Sequence, residues 1–348
     1  MKILVTGSGG LIGSAAVEHF AGQDNSVIGI DNNQREFFFG PKGSVAWNIS
    51  RLEATHKNFV NLMLDIRDYE KLLELFIKES FDVIIHCAAQ PSHDRAADFP
   101  LVDFGVNATG TINLLEAFRQ ASPNATFIHM STNKVYGDAP NFLELTESEY
   151  RFDFTSPEFA FGISESFPID NSLHSIFGAS KVSADLMAQE YGKYFGLNVG
   201  IFRGGCLTGP NHSGVELHGF LSYLVKCVVN NQPYTIFGHQ GKQVRDQIHS
   251  SDVMSAFESF ISSPKKGVAF NLGGGRSNSA SVVESINLIE KISNKRLKYA
   301  FDEKARIGDH ICYYSDMRKF VSVYPSFKIQ FSLEKIIEDM VRNTFDAS

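Results

Sequence analysis

Four cysteines, Cys87, Cys206, Cys227 and Cys312, are scattered along the 348 residues, and none stands at the close paired spacing of a zinc or redox motif. That pattern predicts reduced thiols in a cytoplasmic setting, with no disulfide frame and no metal centre. No apolar run approaches the length that spans a bilayer, so no membrane is expected as a partner. Basic blocks are missing as well. With a net charge of −7 the chain offers no footprint for nucleic acid. Internal repeats and low-complexity tracts are lacking. The first apolar run starts at Lys2, so no signal peptide is expected. What is present, 43% apolar and 20% charged residues, suits a soluble chain with one large core or two modest ones.

The informative stretch is the first thirty-one residues. Lys2 to Thr6 is too short for a helix and ends at glycine, so it predicts a buried strand. Leu11 to Phe20 then carries apolar residues at helical spacing. Between them lies Thr6-Gly7-Ser8-Gly9-Gly10-Leu11-Ile12-Gly13. A strand that turns through glycines into a helix leaves backbone N–H groups pointing outward, where the helix dipole favours an anion such as a pyrophosphate. Gly7 permits the tight turn, Gly10 lets phosphates approach, and Gly13 lets helix and strand pack closely. A second strand, Val27 to Ile30, ends at Asp31. An acid about 20 residues past the glycines accepts from both ribose hydroxyls and repels a 2′-phosphate, so the cofactor expected is NAD rather than NADP.

The alternation continues. Strands are predicted at Phe59–Leu64, Asp82–Cys87, Thr126–Met130 and Asn198–Phe202, with helices at Tyr69–Lys78, Val102–Gln120 and His174–Phe195. This cadence predicts a doubly wound parallel α/β sheet of the Rossmann type, whose ligands bind beyond the carboxyl ends of the strands. Two stretches depart from it. Asn32 to His56 reads as a long aromatic connection, either a cover for the cofactor or a surface insertion with its own small core. Asn141 to Asn171 reads as loop. Residues 1–203 are therefore assigned mainly to a nucleotide-binding domain, with later segments returning to it. Residues 204–348 read as a smaller, partly interleaved α/β domain that binds substrate and covers the cleft.

Two side chains stand out within the long helix. Phe177 and Lys181 are four residues apart and share a face. Beside a nicotinamide, a lysine can bond the ribose and lower the pKa of nearby acids. Thr132, just past the fifth strand, is placed to bond a substrate hydroxyl. With the glycine loop, Asp65, Ala88-Ala89, Ser131-Thr132, Lys181, Val244-Arg245-Asp246 and Arg306-Ile307-Gly308-Asp309, the chain resembles, over its whole length, the extended short-chain dehydrogenases that act on nucleotide sugars. Ala89-Gln90-Pro91-Ser92-His93-Asp94, Ser131 to Asp138, Gly205 to Gly214 and Gly241 to Asp246 look like the CDP-paratose (CDP-tyvelose) 2-epimerase branch.

The resemblance implies NAD held by Gly7, Gly10, Leu11, Ile12, Gly13, Asp31, Asn32, Asp65, Ile66, Ala88, Ala89, Gln90, Asn107, Ser131, Phe177, Lys181 and Arg203. It implies a nucleotide-sugar substrate held by Thr132, Asn133, Cys206, His218, Arg245, Arg306 and Asp309, with the two arginines on the diphosphate. A homodimer or higher homo-oligomer is implied too. The activity implied is epimerisation of a CDP-deoxyhexose at C2 by transient oxidation and hydride return. Asn133 and Lys134 replace the family dehydratases' acid pair, which disfavours dehydration.

One position departs from the pattern. The family's catalytic pair is Tyr-x-x-x-Lys, and the tyrosine position here is Phe177. A benzyl ring cannot accept a hydroxyl proton. Thr132 and Lys181 remain, and the replacement acid/base candidates are His93, Lys134, Tyr136 and Cys206. Three readings stay open: an epimerase with a relocated base, an NAD-binding protein without turnover, and a net dehydrogenase or reductase.

Overall fold

The computed structural model describes residues 1–210, 219–304 and 308–346. Short runs rich in Val, Ile and Phe form seven strands: β1 Lys2–Thr6, β2 Ser26–Ile30, β3 Phe59–Leu62, β4 Val83–His86, β5 Thr126–Thr132, β6 Asn198–Gly204 and β7 Lys266–Leu272. They share one sheet in the order β7-β6-β5-β4-β1-β2-β3. Leu4 of β1 lies opposite Ile28 on one side and Ile84 on the other, both in parallel register. Ile3, Leu4 and Val5 are fully buried, as strands covered on both faces require. The fold is the doubly wound Rossmann-type sheet that the alternation predicts.

The helices that bear on the site are α1 Leu11–Ala21, α2 Gln34–Phe39, α3 Ala46–Thr55, α4 Tyr69–Glu79, α5 His93–Asp98, α6 Pro100–Phe104, α7 Gly110–Ala121 and α8 Ser175–Tyr194. Leu72, Phe76, Leu114, Phe118 and Ala188, from α4, α7 and α8, pack with Leu4, Ile84, Phe127 and Val199 of the sheet. The pleat turns Ile3 and Val5 to the other side. No helix among the described residues is long and apolar enough to cross a membrane.

Three stretches differ from expectation. Asn32 to His56 is helical, made of α2, a 3-10 turn at Pro41–Gly43 and α3. Its aromatic spacing hid a three-to-four-residue period. The helix expected from Val102 to Gln120 is interrupted by a π-turn at Gly105–Thr109. Asn141 to Asn171 contains an antiparallel hairpin, Leu145–Glu147 with Phe152–Phe154, whose three-residue strands are too short to leave a periodic signal.

By its contacts the chain divides into two compact units. The first comprises Met1–Val135, Ile176–Arg203 and Val253–Phe270; the second comprises Tyr136–Ser175, Gly204–Asp252 and Asn271–Ser348. In the second unit the strand Val244–His249 is central. It pairs with Ser279–Ser281, Cys312–Tyr313 and Cys206–Thr208. Helices Phe220–Val229, Val282–Ser293 and Leu333–Asp346 supply that unit's apolar core, with Leu224, Ile289 and Ile336 at its centre.

Candidate active site

Strand order reverses between β1 and β4, and the glycine loop lies at that point. Gly7 has φ +69°, which glycine adopts without strain. A Cβ there would stand 2.8 Å from the Ala88 backbone nitrogen, so this glycine lets the loops after β1 and β4 touch. A Cβ at Gly13 would fall 2.0 Å from the Gly7 carbonyl oxygen. Gly10 is different: the single heavy atom near its missing Cβ is the Gly7 oxygen at 3.3 Å, so this face of the loop is open. Gly10 also N-caps α1 without any side-chain cap, which leaves the first-turn amides of Leu11, Ile12 and Gly13 available to an anion. A cradle that side chains would fill and an uncapped helix start together fit a pyrophosphate.

Asp31 ends β2 beside that loop. Its Oδ2 accepts from the Gly9 N–H at 3.0 Å and its Oδ1 from the Asn33 N–H at 2.8 Å. Burial pushes its pKa up, opposed by those bonds and by the nearby Arg35 charge. A carboxylate accepts about four hydrogen bonds, so two remain for ribose hydroxyls. Asn32 donates to Asp65 Oδ2 at 3.2 Å, bringing the ends of β2 and β3 together. Arg67 beside Asp65 holds that carboxyl below its usual range. Asp31→Ala is expected to weaken NAD binding by about 1.5–3 kcal/mol, the worth of a hydrogen bond to a charged group. Titration calorimetry checks this, and unchanged affinity would place the ribose elsewhere.

The second group sits on β5 and α8. Lys181 is buried and donates from Nζ to the Met130 carbonyl at 3.0 Å. Burial brings its pKa down to about 8, with Asp185 the main opposing charge. Asp185 in turn forms a buried ion pair with Arg203, at 3.0 Å to Nε and 2.9 Å to Nη2, and accepts from Ser131 Oγ at 2.6 Å. Thr132 is half-buried, and its Oγ1 accepts from the Lys134 N–H at 3.2 Å; Asn133 between them is buried. Phe177 is buried, and the His93 ring packs against it with centroids 4.9 Å apart and planes inclined at 55°. Two segments far apart in sequence thus put an imidazole beside the ring that stands in place of tyrosine.

Several residues grouped with the cofactor have side chains engaged inside the protein. Ile66 belongs to the core, filling the space beside Gly110. Arg203 and Ser131 are held by Asp185. Gln90 and Asn107 bond each other, through Gln90 N–H to Asn107 Oδ1 at 2.9 Å. Ala88 is half-buried and Ala89 exposed, leaving small side chains at the mouth of that loop.

In the second unit Arg245 pairs through Nη2 with Asp309 Oδ1 at 2.7 Å, and Cys206 is half-buried on its short strand. Arg306 and His218 lie outside the described residues. If Arg245 binds the diphosphate, Arg245→Ala is expected to raise the Kd for a nucleotide sugar about tenfold or more, with NAD affinity unchanged. Loss of NAD affinity instead would show the division between cofactor and substrate residues to be mistaken.

Sequence reasoning missed three residues here. Asn48 of α3 donates to the Gly9 carbonyl at 3.0 Å, and a Cβ at Gly9 would strike Val45 and Ile49. The helical insert therefore packs on the glycine loop. Arg35 lies over the Phe39 ring at 4.8 Å with its charge near Asp31. Asp103 is fully buried four residues before Asn107, and that i, i+4 spacing was the available signal.

Residues 3–273 match the model of the NAD dependent epimerase/dehydratase family. The chain is 32% identical to CDP-paratose 2-epimerase of Salmonella typhi over 99% of its own length and 98% of the relative's. It is 28% identical to dTDP-glucose 4,6-dehydratase 1 of Escherichia coli K12, covering 86% of this chain and 80% of that one. Among solved structures, UDP-glucuronic acid 4-epimerase of Bacillus cereus in complex with UDP-glucuronic acid and NAD aligns over all of both chains, with a TM-score of 0.79 and 27% identity.

Proposed function

This chain belongs to the NAD dependent epimerase/dehydratase family, with NAD as its cofactor, and from that premise we propose that it epimerises a nucleotide-activated sugar, a CDP-deoxyhexose at C2. The observation that carries the mechanism is the His93 imidazole packed 4.9 Å from the Phe177 ring. Where the phenol of Tyr-x-x-x-Lys is missing, a titratable ring is supplied from another segment.

Bound NAD supplies a hydride acceptor and donor. The glycine loop holds its pyrophosphate, Asp31 its adenosine ribose, and the Lys181 ammonium its nicotinamide ribose. Thr132 Oγ1 bonds the sugar hydroxyl at the carbon to be inverted. An imidazole nitrogen of His93 takes the proton of that hydroxyl as hydride leaves the carbon, and gives it back after the keto-sugar has presented its other face. Oxidation at C2 itself needs no proton removed from carbon, so one acid/base suffices. Asn133 and Lys134, neither a carboxylate, agree with that economy and not with dehydration. Arg245 and Asp309 hold the nucleotide diphosphate and ribose. The 32% identity to a CDP-sugar epimerase over nearly all of both chains supports CDP and C2.

Incubation with a panel of CDP- and UDP-sugars, followed by NMR of the sugar ring, tests the reading. An inverted C2 in a CDP-sugar with no accumulated NADH is expected. Binding of sugars without turnover would leave a binding protein, and NADH release a net dehydrogenase.

A further inference from the structure

Hydrogen-bonded to the segments that carry His93 and Phe177 is a buried polar network that the hydride chemistry does not use. Its centre is Asp103, the next-to-last residue of α6, with no exposed surface. Asp103 Oδ1 accepts from Gln90 Nε2 at 2.8 Å and from Asn107 Nδ2 at 3.0 Å. Gln90 is joined to the next residues of its loop twice, accepting at Oε1 from the Ser92 N–H at 2.6 Å and donating to the Ser92 carbonyl at 2.8 Å. Ser92 is the N-cap of α5 and directly precedes His93. On the other side, Asn107 Nδ2 reaches Ser180 Oγ at 3.1 Å, and Ser180 donates to the Phe177 carbonyl at 2.9 Å. Ser180 directly precedes Lys181. The chain of bonds thus runs from the residue before His93, through Gln90, to Asn107 both directly and by way of Asp103, and on to the turn of α8 that carries Phe177 and Lys181.

The local backbone serves this arrangement. Asn107 sits in the π-turn Gly105–Thr109, where the widened helix displaces it from the position a regular α-turn would give. Asp103 Oδ2 is buried with no hydrogen-bond partner among the described residues, and no salt bridge there neutralises the carboxylate. Burial pushes its pKa up, while the nearby Ser180 hydroxyl, the Gln90 bond and the Lys181 charge oppose that shift. Burying such a group is unfavourable unless its acceptor is needed.

We infer that Asp103 is a positioning residue of the reaction centre, whose carboxylate ties the His93 loop to helix α8 and so holds the imidazole against Phe177. The inference rests on the assignment of His93 as acid/base for its catalytic meaning, and on hydrogen bonds alone for its structural one. The requirement is for an acceptor at Oδ1, which an amide oxygen also provides. Asp103→Asn should therefore retain the arrangement and Asp103→Ala should release it.

The test uses the full chain with NAD, carrying labelled histidine. The His93 Cε1–H resonance, assigned by its loss in His93→Gln, is displaced by the ring current of Phe177, a displacement removed in Phe177→Leu. The expected result is that Asp103→Asn keeps this displacement while Asp103→Ala loses most of it, with cooperative melting and bound NAD retained. With the sugar that is turned over, Asp103→Ala should lower kcat about 10²-fold with KM unchanged, and Asp103→Asn should restore it. Should Asp103→Ala fail to fold, Gln90→Leu removes the donor at the other end of the same bond and should lose the same displacement. A displacement kept in Asp103→Ala or, if that variant does not fold, in Gln90→Leu overturns the inference, as does one lost equally in Asp103→Asn. Turnover surviving in His93→Gln overturns the acid/base assignment instead, leaving the NMR result to stand by itself.

Discussion

His93→Gln is expected to lower turnover by about 10²- to 10⁴-fold, the range that general acid/base catalysis supplies, while NAD affinity stays as it is. Glutamine keeps the length and a hydrogen-bonding end but cannot exchange a proton near neutral pH. Phe177 cannot take over, because its ring has no ionisable group, and the nearest lysine of α8 has its Nζ on the Met130 carbonyl. Phe177→Tyr is the complementary variant. In the wild-type background it should alter the rate modestly, and in the His93→Gln background it should restore part of the loss. Full activity in His93→Gln would move the acid/base to Lys134, Tyr136 or Cys206. A wild type that is inert until Phe177→Tyr is introduced would mean that no relocated base exists.

Gly13→Ala is the second large effect expected. The added methyl would lie 2.0 Å from the Gly7 oxygen and 2.6 Å from the Gly7 carbonyl carbon, both backbone atoms that cannot rotate away. The loop or α1 must shift, at about 1–3 kcal/mol in stability. The shift also moves the first-turn amides and the Gly9 N–H that Asp31 holds. Loss of one or two charge-assisted bonds to the pyrophosphate, about 3 kcal/mol together, corresponds to a Kd raised about 10²-fold. Calorimetry with NAD and a melting curve separate the two effects. Unchanged NAD affinity would mean that the pyrophosphate does not lie on this loop.

The glycine loop and Asp31 were legible because each depends on local geometry: a φ that glycine alone adopts easily, an open helix start, an acid at a strand end. Six strands of the sheet were legible for a related reason, since buried strands appear as continuous apolar runs, whereas the seventh, Lys266–Leu272, joins the sheet's edge from a late segment that the alternation did not assign to it. The insert from Asn32 to His56 was not, because its fixing contacts are tertiary. Asn48 reaches Gly9 from 39 residues away, and no local pattern records that. The His93–Phe177 pair lies further still from sequence reasoning. Both residues were singled out separately, His93 from its loop and Phe177 from its departure from tyrosine, but their contact is tertiary, and the segment between them that bonds to both sides includes a π-turn. A helical period cannot report a π-turn, because one extra residue merely blurs the pattern. In the second unit Arg245 and Asp309 were named from motifs 64 positions apart, and their 2.7 Å ion pair follows from the parallel pairing of Val244–His249 with Cys312–Tyr313.

The central claim is that hydride leaves and returns to the same carbon, with a proton moving only on oxygen. It is tested most directly with a CDP-deoxyhexose carrying deuterium at C2, incubated with the NAD-loaded protein in ordinary water and followed by NMR and mass spectrometry. The account predicts the C2 epimer with its deuterium retained at C2 and no NADH in solution. An epimer whose C2 label has washed out into water would contradict it, because the proton would then have been taken from carbon.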